Sequence, residues 1–273
     1  MIVVTGATGN VGRHVVDELV AAGAEVRALT RDPESARLPE GVQVARTADL
    51  PLEGATAVFL NPAVVWGKGA GELLRKAEQA GVRRIVTLSS SAVLFAGPGN
   101  PIGNHHHELE TEIEASGLAW THVRPGAFAS NALQWVPQIR KGDVVHGAYA
   151  QAHTAPIDEA DIAAVAARAL LSEEYAGQAP VLSGPQSLTF AEQVAIIGAA
   201  LGRPLRYEEI PAEAAREAMT GGGVPADIAD SLLRMFAGAV DRPADISPET
   251  ERITGRPGRT FAQWASDHAA AFS

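Results

Sequence analysis

Two groups of residues in this chain have types and spacings suited to chemistry. The first is the glycine-punctuated run Thr5-Gly6-Ala7-Thr8-Gly9-Asn10-Val11-Gly12, which follows the apolar Met1-Ile2-Val3-Val4 and precedes Arg13-His14-Val15-Val16-Asp17-Glu18-Leu19. Glycines lack a Cβ, so a turn built on Gly6, Gly9 and Gly12 can bend tightly and bring backbone N–H groups against a pyrophosphate, with the positive end of the next helix behind it. The second group is Ser89-Ser90-Ser91 with His105-His106-His107. Hydroxyls and an imidazole can orient a reacting group and move a proton at neutral pH.

These residues must be positioned by a frame, and the first half of the chain supplies one. Strand and helix patterns alternate in the manner of a parallel sheet with crossover helices. Strands are expected near 1–4, 25–30, 42–45, 57–60, 84–88 and 120–123, and helices over 11–22, 69–80 and 105–115. A Gly- and Pro-rich loop is expected over 97–104, and irregular structure from Gly126 to about Thr154. Ligands of such sheets bind beyond the carboxyl ends of the strands. That rule selects Gly6 to Gly12 (with Thr8, Asn10 and Val11), Arg31, Asp49, Asn61 and Ser89 as dinucleotide-binding candidates. At the end of the second strand, Thr30-Arg31 stands where an NAD site usually carries an acid. Arg31 therefore favours the 2′-phosphate of NADP, with NAD as the alternative. Arg13 is a candidate for a second positive contact.

Beyond Arg124-Pro125-Gly126 the pattern changes. Acidic residues open a helix at 161–171, and Thr189-Phe190-Ala191-Glu192 has capping-box spacing before another at 190–201. The expected fold is α/β: a Rossmann-like, doubly wound parallel sheet over residues 1–183, with a smaller, mostly helical lobe over 184–273 covering the substrate. Gly221-Gly222-Gly223 is expected to be a mobile joint in that lobe. Phe128, Asn131 and Trp135 follow the last core strand and are candidates to wall a substrate pocket, since such pockets are mainly apolar.

Composition narrows the function classes. The chain has no Cys, which excludes disulfides, thiol nucleophiles and thiolate metal sites. Its 22 Lys+Arg against 32 Asp+Glu give a net charge of −10, which argues against nucleic acid as a partner. No apolar run approaches the roughly 18 residues of a membrane helix, and no signal peptide is evident, so a cytoplasmic location without membrane contact is expected. Consecutive helical residues point about 100° apart, so His105, His106 and His107 cannot converge on one ion, and no metal is expected. The expected partner is a small-molecule substrate. A homodimer stays open.

Thr5 to Gly12, Thr30-Arg31-Asp32-Pro33, Ala115-Ser116-Gly117-Leu118, and Thr121-His122-Val123-Arg124-Pro125-Gly126-Ala127-Phe128 with Asn131 together resemble the NmrA-like group of atypical short-chain dehydrogenase/reductases. The closing Ile253-Thr254-Gly255-Arg256-Pro257, with Thr260, Phe261 and Trp264, is similar to the end of bacterial members. The resemblance implies a Rossmann-like fold and NAD(P)H binding. It also implies either reduction of quinones, dyes and related conjugated compounds, or redox sensing without turnover.

Against the short-chain dehydrogenase pattern of Ser with Tyr-x-x-x-Lys, counting back from Ser116-Gly117 puts Ile102 at the Tyr position and His106 at the Lys position. Ile102 cannot donate a proton, so His106, expected to have a near-neutral pKa, becomes the candidate acid, with Ser90 beside it. Some quinone reductases of the group resemble this arrangement, with a Glu that matches Glu110. The expectation is an NADPH-dependent oxidoreductase passing hydride to a small conjugated, quinone-like or aromatic acceptor, whose delocalised product anion water can protonate. The alternative is a dinucleotide-binding sensor or regulatory protein. Epimerase chemistry is disfavoured by the same missing Tyr.

Overall fold

The computed structural model describes all 273 residues. Its main sheet takes β1 (Ile2–Thr5), β2 (Val26–Thr30), β3 (Gln43–Arg46), β4 (Ala57–Leu60), β5 (Arg84–Leu88) and β6 (Ala119–Pro125). After the short β7 (Val144–Gly147) and β8 (His153–Thr154), it adds β9 (Val181–Leu182). The order is β3-β2-β1-β4-β5-β6-β9, with every pair parallel. β2 and β4 flank β1, Ile2 pairing with Val26 on one side and with Ala57 on the other, and the winding reverses between β1 and β4. All four residues of β1 and of β4 are buried, as strands covered on both faces must be.

Helices cover the two faces of this sheet. On one, α1 (Gly12–Ala21) buries Val15, Val16 and Leu19 in the same core as Ile162, Val165 and Ala166 of α5 (Glu159–Leu171). On the other, α2 (Gly71–Gln79) and α3 (Pro101–Ala115) cover Val3, Val58 and Ile85 with Leu73, Leu74, Leu109 and Ile113. The doubly wound Rossmann-like architecture expected from the alternation is the one observed. No helix is long and apolar enough to cross a membrane.

Two local expectations need correction. α3 starts at Pro101, inside the stretch expected to be a loop. Pro101 occupies the first helical turn, where its missing N–H costs nothing, and the Asn100 side chain caps the Gly103 N–H at 2.9 Å. Gly103 is needed there by packing, since a Cβ would lie 2.4 Å from the Ala92 carbonyl oxygen. The stretch from Gly126 to Thr154 is also not irregular. It forms a 3-10 turn (Ala129–Trp135), α4 (Val136–Ile139), β7 and β8. Those strands are fixed by distant partners, β8 by β10 (Leu188–Thr189) and β7 by β11 (Arg206–Glu209), and short-range patterning does not report such pairings.

The remaining helices are α6 (Phe190–Leu201), α7 (Ala212–Gly221), α8 (Ala226–Gly238), α9 (Glu249–Thr254), α10 (Phe261–Asp267) and α11 (Ala269–Phe272). The capping box of Thr189 and Glu192 opens α6 as the spacing predicts. A third core joins Phe190, Ile197, Phe261, Trp264 and Phe272 to Ala129, Trp135, Ile139 and Val145, so the helical lobe draws on residues well before position 184. Ile253 of α9 packs instead with the main core. The acidic start of α5 ties the lobe down: Arg259 Nε donates to Asp158 at 2.6 Å, Arg256 to Asp161 at 2.8 Å, and Trp264 Nε1 to Glu159 at 3.2 Å. Gly221 to Gly223 close α7 and turn the chain to α8, and the Arg216–Asp230 ion pair at 2.6 Å spans that turn.

Candidate active site

The turn after β1 is built on contacts that only glycine allows. Gly6 has φ +61°, and a Cβ on it would lie 2.9 Å from Asn61 Nδ2 at the end of β4. Its carbonyl accepts the Gly9 N–H at 2.9 Å, and a Cβ on Gly12 would lie 2.1 Å from the same oxygen. Thr5 Oγ1 donates to the Phe59 carbonyl at 3.0 Å and accepts the Asn61 N–H at 2.8 Å, which holds the ends of β1 and β4 together at the reversal of winding. The N-terminus of α1 has no side-chain cap and no acidic residue in its first turn, so no side chain competes with an anion for the positive end of its dipole. Arg13 is engaged with the turn itself, donating to Gly9 O at 3.2 Å and Asn10 Oδ1 at 3.0 Å.

Along the carboxyl edge of the sheet, Thr8 and Thr30 hydroxyls lie 3.2 Å apart, and Arg31 is exposed directly after β2. Sequence reasoning missed Arg46. The β2–β3 register pairs it with Thr30, and its guanidinium donates to the Arg31 carbonyl at 3.4 Å. The readable signal was its place at the end of an edge strand beside Arg31. Asp49 is exposed in the turn after β3, its N–H bonded to the Arg46 carbonyl.

A cleft of about 370 Å³ opens over the ends of β1, β4 and β5. It is lined by Asn10, Val11, Asn61, Pro62, Leu88, Ser89, Ser90, His106 and Phe128. The fold thus gathers into one space residues spread from position 10 to position 128, and no Asp, Glu, Lys or Arg is among them. Asn131 is exposed on the 3-10 turn beyond the lining. Trp135 is buried in the lobe core, edge-on to Phe190 and Tyr207, so of the three expected pocket residues Phe128 alone lines the cleft.

Behind the cleft lies a buried polar cluster. Ser89 Oγ donates to Glu110 Oε1 at 2.5 Å, and Glu110 receives two hydrogen bonds from Arg124, from Nε at 2.9 Å and Nη2 at 2.6 Å. Burial pushes the Glu110 carboxyl up, but the bonds from Arg124 and Ser89 outweigh it and hold the group below the usual carboxylate range. Ser90 caps the following turn by accepting the Ala92 N–H at 3.2 Å.

His106 corrects an expectation. Burial, together with His105 beside it, lowers its pKa to about 4, so it is neutral at physiological pH rather than a near-neutral acid. Its Nδ1 is buried without a hydrogen-bond partner. The neighbouring histidines diverge from it. The His105 ring lies 3.8 Å, centroid to centroid, from that of the exposed Trp66, and His107 is exposed.

These residues fit a dinucleotide. The Gly6–Gly12 cradle excludes side chains where backbone must approach phosphate, and His106 and the two serines line the space beyond the reversal of winding. A family model described as NAD(P)H-binding matches residues 6–173. The chain is 40% identical to a (4-alkanoyl-5-oxo-2,5-dihydrofuran-3-yl)methyl phosphate reductase of Streptomyces griseus, over all of this chain and 99% of that one. It is 39% identical to an NAD(P)H azoreductase of Xenophilus azovorans over the same shares. It superposes on the Escherichia coli NADPH-dependent quinone oxidoreductase, solved with NADPH, at a TM-score of 0.81 and 26% identity, covering 98% of this chain and 99% of that one. On the cradle, the sheet order and these matches, the chain belongs to the NAD(P)H-binding family, within the NmrA-like group of atypical short-chain dehydrogenase/reductases.

Proposed function

We propose that this protein is an NADPH-dependent reductase of a small, conjugated, quinone-like or aromatic acceptor. The observation that carries the reading is the cleft itself: a space at the mouth of the Gly6–Gly12 cradle, walled by Val11, Pro62, Leu88 and Phe128, with only neutral polar groups in it. Such a lining suits an uncharged planar molecule and disfavours a carboxylate or phosphate at the reacting end. When bound, the dinucleotide supplies the hydride. The relatives named as azoreductase and quinone oxidoreductase support this acceptor class.

The chain's own residues orient and exclude. Gly6, Gly9, Gly12 and the uncapped start of α1 would hold the pyrophosphate, and Asn61 closes the end of β4 against the turn. Arg31, with Arg46 beside it, supports the preference for NADPH, because two guanidinium groups suit a 2′-phosphate. Neutral His106 can offer a hydrogen bond but not a labile proton, so the proton on the product comes from water. That is sufficient for a delocalised, weakly basic phenolate-type anion and insufficient for an isolated ketone. Ile102 at the family's Tyr position agrees with this limit.

The test follows NADPH and NADH absorbance with quinones, azo compounds, enones and simple ketones, beside a binding titration. Faster oxidation of NADPH than NADH with conjugated acceptors, and none with simple ketones, is expected. Tight dinucleotide binding without turnover on any acceptor would leave the sensor reading in its place.

A further inference from the structure

We propose that Glu110, gripped by Arg124, is a positioning residue that divides the two cleft serines into an acceptor and a donor: Ser89 presents only lone pairs, and of the two serines it is Ser90 that donates a hydrogen bond to the oxygen of the acceptor substrate. The inference rests on the reductase reading and deepens it.

The division follows from counting hydrogens. A hydroxyl has one hydrogen to give and two lone pairs to receive. The two hydrogen bonds from Arg124 hold Glu110 as a carboxylate, which can only accept, so the 2.5 Å contact to Ser89 uses that serine's single hydrogen. Ser89 is 3% exposed and adjoins the cleft, and nothing but lone pairs is left to face it. Ser90 is in the opposite condition. Its oxygen accepts from the Ala92 N–H, and its hydrogen is uncommitted. Developing negative charge on a substrate oxygen is stabilised by a donor already aimed at it and is opposed by lone pairs, so the two serines are not interchangeable. The cluster reaches the cleft only through Ser89, since neither Glu110 nor Arg124 lines it.

The ionisation of 4-nitrophenol, a stand-in for the phenolate product, reads this polarity without turnover. Its absorbance is followed against pH in the presence of saturating NADP and the folded protein. In the wild type the midpoint of the bound phenol should fall by about one unit, a tenfold change in ionisation constant. Ser90→Ala should abolish that shift, and Ser89→Ala should retain it. Paired replacement Glu110→Leu/Arg124→Leu leaves no lone buried charge and so is suited to folding. It frees the Ser89 hydrogen, so adding Ser90→Ala to that background should preserve much of the shift, a rescue that a merely structural role for the pair would not give. Thermal melting and NADPH fluorescence titration confirm each variant's fold. Loss of the shift in Ser89→Ala, its persistence in Ser90→Ala, or no shift in the wild type would overturn the proposal. A protein that shows the predicted shifts yet oxidises NADPH with no acceptor would refute the reductase reading and leave the serine polarity standing.

Discussion

Arg124 on β6 grips Glu110 on α3 through two hydrogen bonds of 2.9 and 2.6 Å, and the carboxylate passes this constraint to Ser89 at the end of β5. One buried ion pair therefore joins a helix to two neighbouring strands directly behind the cleft. With Glu110 3% and Arg124 18% exposed, the pair is largely removed from water. Its stability value lies less in net attraction than in the cost of breaking it.

Removing one partner tests that cost. Arg124→Leu alone should destabilise the fold by about 3–5 kcal/mol, because it strands a buried carboxylate, whereas Glu110→Leu/Arg124→Leu should cost much less. Urea denaturation of the two variants beside the wild type measures the difference.

The pH dependence of stability has a worked sign. Glu110 titrates below its unfolded range in the folded state, so its contribution is present above the unfolded carboxylate pKa and is lost as pH falls through the folded one. His106 and His122, both lowered to about 4 chiefly by burial, bind protons more readily when unfolded. Stability should therefore fall as pH drops from the unfolded histidine value of roughly 6.5 toward 4. Denaturation midpoints across that window should decline steadily, and His106→Gln should flatten part of the slope.

The glycine turn predicts a graded response to added methyl groups. Gly12→Ala places a carbon 2.1 Å from the Gly6 oxygen, while Gly9→Ala meets the same oxygen at 3.2 Å. Overpacking of the first kind costs about 1–3 kcal/mol and moves the helix start away from the turn. A dinucleotide titration should show at least a tenfold loss for Gly12→Ala and a smaller one for Gly9→Ala.

Charge at the end of β2 should set cofactor choice. Arg31→Glu should weaken NADPH tenfold or more and NADH little, and Arg46→Glu should act in the same direction. Equal losses for both dinucleotides, read by protein fluorescence, would remove these arginines from phosphate recognition.

How much of this was legible in the sequence depends on the range of the determining contact. The turn at Gly6 to Gly12, the strands around it and the Thr189–Glu192 capping box are local, and each is readable from a few adjacent residues. The start of α3 was hidden because Pro101 and Gly103 read as loop-formers, until the Ala92 carbonyl is known to press against Gly103. Trp135 was misplaced for the same reason: an aromatic after a core strand suits a pocket or a second core, and only packing against Phe190 and Tyr207 decides. The lowered pKa of His106 likewise depends on burial that no motif encodes.

The central claim is tested most directly by a single turnover. Protein preloaded with one equivalent of NADPH is mixed with excess quinone, and nicotinamide absorbance is followed, with a parallel run using NADPH deuterated at the transferred position. Loss of one equivalent of reduced nicotinamide, slowed by deuterium, is the result expected of a reductase. Bound NADPH that stays reduced with quinone, azo and enone acceptors alike would contradict it.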